Sequence, residues 1–311
     1  MAAKDVTKKK KRRWTRDDTE LTMLALPTTI WYFLFAFLPM FGIIIAFKKY
    51  QINGGFLNSI ITSDWIGLDN FKFLFSAGDI WIILRNTILY NIAFIILNIV
   101  VPVAMALLIG QLHNKRMAKV YQTAMFMPYF LSWVVVGAFV YQMLSPSSGI
   151  VNAVLIRLGI LDKPVFFMVQ QNMFVPIYLL TNLWKSTGYS IVIYLATISG
   201  IDPQLYDSAA IDGANRLHKV LYITLPALFP TMCTLLILNV GSLISVGFDP
   251  IFNLYNDATY PVADVISTYV YRKGMVDSQY DLSTAVGLFQ NVISLVLVLG
   301  ANWFARKANP D

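Results

Sequence analysis

Charge is scarce in this chain: Lys, Arg, Asp and Glu together make up only 13% of its 311 residues. Soluble domains carry about 25%, so a wholly water-facing surface is excluded. There is one cysteine, Cys233, and it sits in an apolar run, which excludes a disulfide framework and a cysteine-based metal cluster. The two histidines, His113 and His218, are far apart in sequence and lie near polar loops, so zinc and haem lack a ligand set. No glycine run precedes Lys and Ser or Thr in the spacing that lets backbone amides cradle a phosphate. If ATP and Mg are used, other chains must bind them. No apolar run holds paired carboxylates for acid and base work, and the chain is read as a non-enzyme with no cofactor of its own.

What is abundant is apolar length. Hydrophobic residues make up 57% of the chain and its mean hydropathy is +0.60, more than one water-soluble core can hide. Crossing about 30 Å of hydrocarbon takes roughly 20 helical residues. Six runs have that length: Leu24 to Phe47, Asn86 to Leu112, Val120 to Met143, Phe174 to Ser199, Leu225 to Phe248 and Thr284 to Phe304. They are rich in Leu and Ile and do not alternate apolar with polar positions, which selects helices over a barrel. The expected fold class is an all-α membrane protein with six transmembrane helices, a multi-pass protein of the cell membrane.

Lys and Arg in short loops are retained in the cytoplasm. On the side of the termini lie Lys4, the run Lys8 to Arg13, Arg16, then Lys115, Arg116, Lys119, then Arg216, Lys219, and finally Arg306 and Lys307. The opposite loops are longer yet hold fewer: Lys48, Lys49, Lys72, Arg85, Arg157, Lys163, Arg272 and Lys273. Both termini and the polar stretches 112–119 and 200–224 are therefore expected in the cytoplasm. The run Lys8 to Arg13 then holds the N-terminus inside and meets anionic lipid, not nucleic acid. Leu24 to Phe47 is too long for a signal-peptide core and lacks a small-x-small cleavage site, so it reads as a retained span. The resulting organisation is a basic cytoplasmic tail (1–23), a first helix with its outer loop (24–85), a main transmembrane domain (86–305) that contains a cytoplasmic loop at 200–226, and a cytoplasmic tail (306–311).

That loop carries the most information. Asp202 suits an N-cap and Pro203 the first helical position, so a short helix of about ten residues is expected. Asp207 and Asp212 flank the small pair Ala209 and Ala210, which permits close approach of another surface, and Gly213 suits a helix-ending glycine. A second helix is expected from about Asn215 through Arg216, Lys219 and Tyr222 to Leu225, where Pro226 marks entry into the fifth span. From these residues alone, an interfacial connector and a docking element fit equally.

The same stretch resembles the EAA motif of binding-protein-dependent ABC importer permeases, which reads Glu-Ala-Ala, then Asp-Gly-Ala, then Ile-x-Leu-Pro. Asp207 stands for Glu and Ser208 for the first Ala, while Ala209, Asp212, Gly213, Ala214, Ile223, Leu225 and Pro226 match in register. The segments Phe37 to Phe47, Trp65 to Phe71, Arg85 to Thr87 and Phe130 to Val135 are similar to signatures of the subgroup that carries oligosaccharides and complex carbohydrates. The resemblance implies a type I importer transmembrane domain, with Asp207, Ser208, Ala209, Asp212, Gly213, Ala214, Arg216, Leu225 and Pro226 forming the ATPase-coupling loop. It further implies a homologous second permease subunit, two ATP-binding subunits that hold ATP and Mg, an extracellular solute-binding protein and an oligosaccharide substrate.

Polar residues inside spans cost free energy unless they face a cavity or a partner. Lys185 stands about eleven residues into the fourth span, roughly 16 Å deep. With Asn182, Trp184, Ser186, Tyr189 and Tyr194 it supplies the rings and hydrogen-bonding groups that suit sugars, although pairing with a neighbouring chain also accounts for a lysine there. Asn239, Ser242 and Ser245 recur every three residues and share one helix face, where ordinary helix-to-helix hydrogen bonding is the competing role. The loops Tyr50 to Gly55, Pro146 to Gly149 and Asp257 to Pro261 are candidate docking surfaces, or aromatic anchors at the interface. A secondary transporter or channel would need no ATPase, and a membrane-bound enzyme would need a catalytic set; neither accounts for the patterned loop.

Overall fold

The structure is a computed structural model that describes residues 15–76, 78–240, 244 and 246–308. The basic run Lys8 to Arg13, Ser242 and Ser245 lie outside the described residues. Among the described residues, most are helical, loops join the helices, and the only strands form one short antiparallel pair in which Lys48 faces Trp65 and Lys49 faces Asp64.

Helix α1 (Arg16–Tyr32) begins at a capping box, in which Thr15 Oγ1 accepts from the Asp18 N–H and the Asp18 carboxylate accepts from the Thr15 N–H at 2.8 Å. It continues through a wider turn at Phe33–Phe37 and a tighter one at Leu38–Phe47, giving a rod of 32 residues, Arg16–Phe47. The helix starts before the apolar run does, because the cap and the acidic first turn of Asp17 and Asp18 extend it. None of α1 is buried in this chain.

Helix α2 (Asp79–Gly110) is also 32 residues long. The third apolar run is not one straight span. Helix α3 (Lys115–Phe126) runs into a tight turn at Met127–Phe130, and α4 (Trp133–Leu144) then leaves at 103°. Pro128 has no N–H to continue the ladder, and Ser132 caps the new helix by accepting from the Val135 N–H.

Helix α5 (Gln171–Ser199) has 29 residues. The loop helix α6 (Pro203–Ile211) follows, then a rod of 24 residues, Arg216–Asn239, whose main body is α7 (Leu225–Val240). Short helical turns between Phe248 and Val276 lead to α8 (Tyr280–Ala308). The fifth span was expected to reach Phe248, but Phe248 starts a separate short helix, Phe248–Phe252. Among the described residues, four helices are long and apolar enough to cross a bilayer, or five if the bent pair counts as one. The fourth expected span, α5, is the one left over: it has the length but not the apolarity, since Asn172, Thr181, Asn182, Lys185, Ser186 and Thr187 dilute it.

The core is divided along α2. Near its start, Ile80 and Ile83 pack with Leu74, Ile266 and Val286; near its end, Ile99, Val103 and Ala106 pack with Ile191, Tyr194 and Leu228. Lipid is as apolar as leucine, so helices in it gain by close contact more than by burial. Gly188 of α5 shows this: a Cβ there would stand 1.9 Å from the Met125 carbonyl oxygen. Only glycine lets α3 approach so near.

Candidate functional site

Two parts of the molecule carry the residues singled out from the sequence, and they sit at different levels of α5. The first is a lever below its C-terminal end. Asp202 Oδ1 accepts from the Gln204 N–H at 2.9 Å and Pro203 opens the helix, so α6 starts as its residues dictate. It stops at Asp212 because Gly213 takes φ +78°, a left-handed conformation that costs other residues about 1–2 kcal/mol. Ala214 N–H then donates to the Ala209 carbonyl at 2.8 Å and Gly213 N–H to Ala210 at 3.2 Å, which closes the Schellman motif. Asn215 caps the next turn by accepting from the His218 N–H at 2.9 Å.

The lever is therefore rigid at both ends and tied at its middle, where the Tyr206 hydroxyl and Thr224 Oγ1 lie 2.9 Å apart. Thr224 is buried at the base of the Arg216–Asn239 rod. Asp207, Ser208, Asp212, Gly213, Arg216 and Pro226 are exposed, while Ala209, Ala214 and Leu225 are half-buried. Sequence reasoning named Tyr222, which is exposed, but passed over three further exposed apolar residues: Leu205, Leu217 and Ile211, which is one turn beyond Asp207 and 87% exposed.

The second part is a cavity of about 280 Å³ halfway along α5. Lys185 is the midpoint residue of that helix, about 21 Å from either end. Its Nζ donates to the Tyr129 carbonyl at 2.9 Å and stands 5.5 Å from the ring centres of both Tyr129 and Trp133. The bend between α3 and α4 thus supplies a carbonyl and two π faces that hold the ammonium. The one hydroxyl proton of Ser186 is shared between the Asn182 carbonyl at 2.7 Å and Asn98 Oδ1 at 3.2 Å. Asn91, Asn98, Asn182, Lys185 and Ser186 all line the cavity, with Phe94, Trp133 and Tyr178 as its apolar walls.

The remaining sequence candidates do not converge there. Tyr189 stacks on Tyr129 at 4.8 Å and so backs the cavity without lining it. Trp184 faces away, stacked on Phe139 at 6.3 Å in a separate apolar groove. Asn239 is exposed and donates to the Leu235 carbonyl at 2.7 Å in its own helix. Asn91 and Asn98 were not singled out, although their spacing of two helical turns inside an apolar run was a signal. Among the described residues no cluster of His, Cys, Asp or Glu is placed to hold a metal.

The segment Pro261 to Asp264 meets the opposite end of α2. Asn86 Nδ2 donates to the Asp264 carbonyl at 3.1 Å, whereas Gly110 abuts Ile198 just above the lever. Those two points are roughly 36 Å apart along α2. Asp264 is buried and pairs with Arg272, which also lies over the Tyr260 ring at 4.6 Å. Burial opposes the charge of Arg272, but the hydrogen bond and the charge of Asp264 outweigh it and hold the guanidinium above its ordinary value.

The family model described as the binding-protein-dependent transport system inner membrane component matches residues 99–310. The polygalacturonan/rhamnogalacturonan transport system permease protein YteP of Bacillus subtilis is 37% identical over 92% of this chain and 88% of its own length. A crystal structure of a bacterial ABC transporter involved in importing the acidic polysaccharide alginate contains a chain that is 38% identical, with a TM-score of 0.85 over 94% of this chain and 97% of that one. A second structure, of a bacterial alginate ABC transporter in complex with an alginate pentasaccharide-bound periplasmic protein, matches with a TM-score of 0.84 and 38% identity over 94% of this chain and 96% of that one.

Proposed function

The chain belongs to the family of binding-protein-dependent transport system inner membrane components and is a permease of a carbohydrate ABC importer; from that premise we propose that it forms, with a homologous second permease, the pathway for an acidic oligosaccharide delivered by an extracellular solute-binding protein. In this reading the chain has the type I importer arrangement and crosses the membrane six times with both termini in the cytoplasm, and α5 is its fourth span. Two ATP-binding subunits, which hold ATP and Mg, sit below it and receive α6. The observation that carries the proposal is the position of α6, capped at both ends and joined directly to the helix that bears Lys185.

The physics of coupling follows from those joints. ATP closes the ATPase dimer and carries α6 with the cleft that grips it. Asp207 meets a basic wall of the cleft and sets orientation by a charge-assisted contact, while Ile211 and Leu205 fill its apolar part. The displacement passes along two routes, through Gly200 to Asp202 into α5 and through Tyr206 to Thr224 into the rod. Leu228 of the rod packs with Ile191 and Tyr194 of α5, so both routes move the same packed group. Hydrolysis lets it return. A bundle with two packings is biased by an event outside the membrane.

Lys185 is the cation of an otherwise neutral cavity, and the asparagines, Ser186 and the aromatic walls match hydroxyls and ring faces of sugars. A uronate-bearing chain supplies the anion. The decisive experiment is ATP-driven uptake of an oligogalacturonate by the reconstituted complex, with the wild-type chain and with Asp207→Arg. Transport is expected to be lost in the variant while the chain stays in the membrane; normal uptake by Asp207→Arg would reject the coupling assignment.

A further inference from the structure

A cavity of about 370 Å³ lies where α2, α5 and the base of the Arg216–Asn239 rod end together beside the lever. Its lining includes the half-buried apolar residues Leu107, Ile198 and Val220 and the basic residues His113, Arg216 and Lys219, of which His113 and Arg216 are exposed. None of its lining residues is acidic, and neither Arg216 nor Lys219 is in an ion pair among the described residues. The volume falls in the range of ordinary small-molecule sites, about 300–1,000 Å³. An apolar wall at the ends of membrane helices, with cations at the rim, matches an amphiphile that has an acyl chain and an anionic head.

We infer that this cavity is a binding site for one anionic phospholipid, with its phosphate held by Arg216, Lys219 and His113 and its glycerol and upper chain against Leu107, Ile198 and Val220. Charge selects the occupant: a zwitterionic lipid offers the same phosphate but brings its own cation to a rim that already holds Arg216 and Lys219. Position gives the site a consequence. Tyr206 and Thr224, the two ends of the lever's tie, also line it. A lipid seated there stiffens the joint through which α6 moves the rod, so occupancy favours coupled transport. This consequence rests on the proposed docking of α6; the binding itself does not.

The test uses the whole complex, purified through a tag on this chain and placed in nanodiscs of phosphatidylcholine with a minor fraction of phosphatidylglycerol. Native mass spectrometry counts retained phosphatidylglycerol. The Lys219→Gln variant is expected to lose it about fivefold, the effect of one cation near a charged lipid surface. Lys219→Arg should retain it, which separates loss of charge from loss of fold. Equal retention by wild type and Lys219→Gln would overturn the site. Displacement of the lipid by millimolar inorganic phosphate would assign the rim to a free anion and overturn the lipid, as would retention by the free chain but exclusion from the complex, which would mean that an ATPase fills the cavity. Lipid counting needs no uptake measurement, so failure of ATP-driven uptake with phosphatidylglycerol still bound would remove the transport reading and leave the site standing.

Discussion

The lever and the mid-membrane cavity are built by opposite means. The lever is local: Asp202, Pro203, Gly213 and Asn215 fix its ends through bonds to residues two to five positions away. The cavity is assembled from a distance, with Lys185 bonded to a carbonyl 56 residues earlier and Ser186 to a side chain 88 residues earlier. A machine that transmits force needs a part whose shape survives when its surroundings move. A part that recognises cargo needs walls that move apart. Under the proposed function the two constructions answer those two needs, and substitutions that act on one should leave the other intact.

The largest effect is expected at Gly213. Proline would fix φ near −65° where the chain needs +78°, and it would remove the N–H that bonds Ala210. Gly213→Pro should abolish uptake while oligogalacturonate still binds to the complex, as read by calorimetry. Loss of both activities together would show that the lever and cavity are one unit. Gly188→Ala should come next, because the Met125 backbone must shift away from the added carbon. Overpacking of this kind costs about 1–3 kcal/mol. The detergent-purified chain should melt at a lower temperature, and the displaced bend should weaken sugar binding as well; an unchanged melting point would mean that close contact between α3 and α5 does not limit stability.

These differences also explain what could be read from the residues alone. Capping chemistry lies within a few positions, so α6, its proline start and its glycine stop were legible in advance. The length of α5 and the polarity of its middle were legible too. What Lys185 touches was not, because nothing near it in sequence names Tyr129 or Trp133. The break at Pro128 and Ser132 was hidden inside a run apolar enough to pass for a straight span. Trp184 was misplaced for a simpler reason: it is adjacent to Lys185 in sequence, and one residue along a helix is a rotation of about 100°, which turns it to another groove.

Lys185 tests the cavity by charge. Replacing it with methionine keeps the stem and removes the ammonium, so the Tyr129 carbonyl loses its donor and a uronate loses its counter-ion. Hydrogen bonds to charged groups contribute about 1.5–3 kcal/mol, which predicts roughly a tenfold or greater loss of oligogalacturonate uptake at low concentration. Uptake of a neutral oligosaccharide, if the complex accepts one, should be unaffected. Equal losses for both sugars would reduce Lys185 to a packing residue.

The smallest effect is expected at the tie between the lever and the rod, and it is the most discriminating. Tyr206→Phe removes one hydroxyl but leaves Thr224 Oγ1 still bonded to the Lys219 carbonyl, so no buried polar atom is orphaned. The cost is that of a single neutral hydrogen bond, about 0.5–1.5 kcal/mol. Two routes connect α6 to the bundle, and the covalent one through Gly200 to Asp202 remains. Sugar moved per ATP hydrolysed should therefore fall by less than tenfold, with sugar affinity unchanged. If the ratio does not move at all, the hydroxyl bond carries no force and the peptide chain into α5 is the whole linkage. If it collapses as completely as in Gly213→Pro, the rod is the principal moving element and α5 follows it.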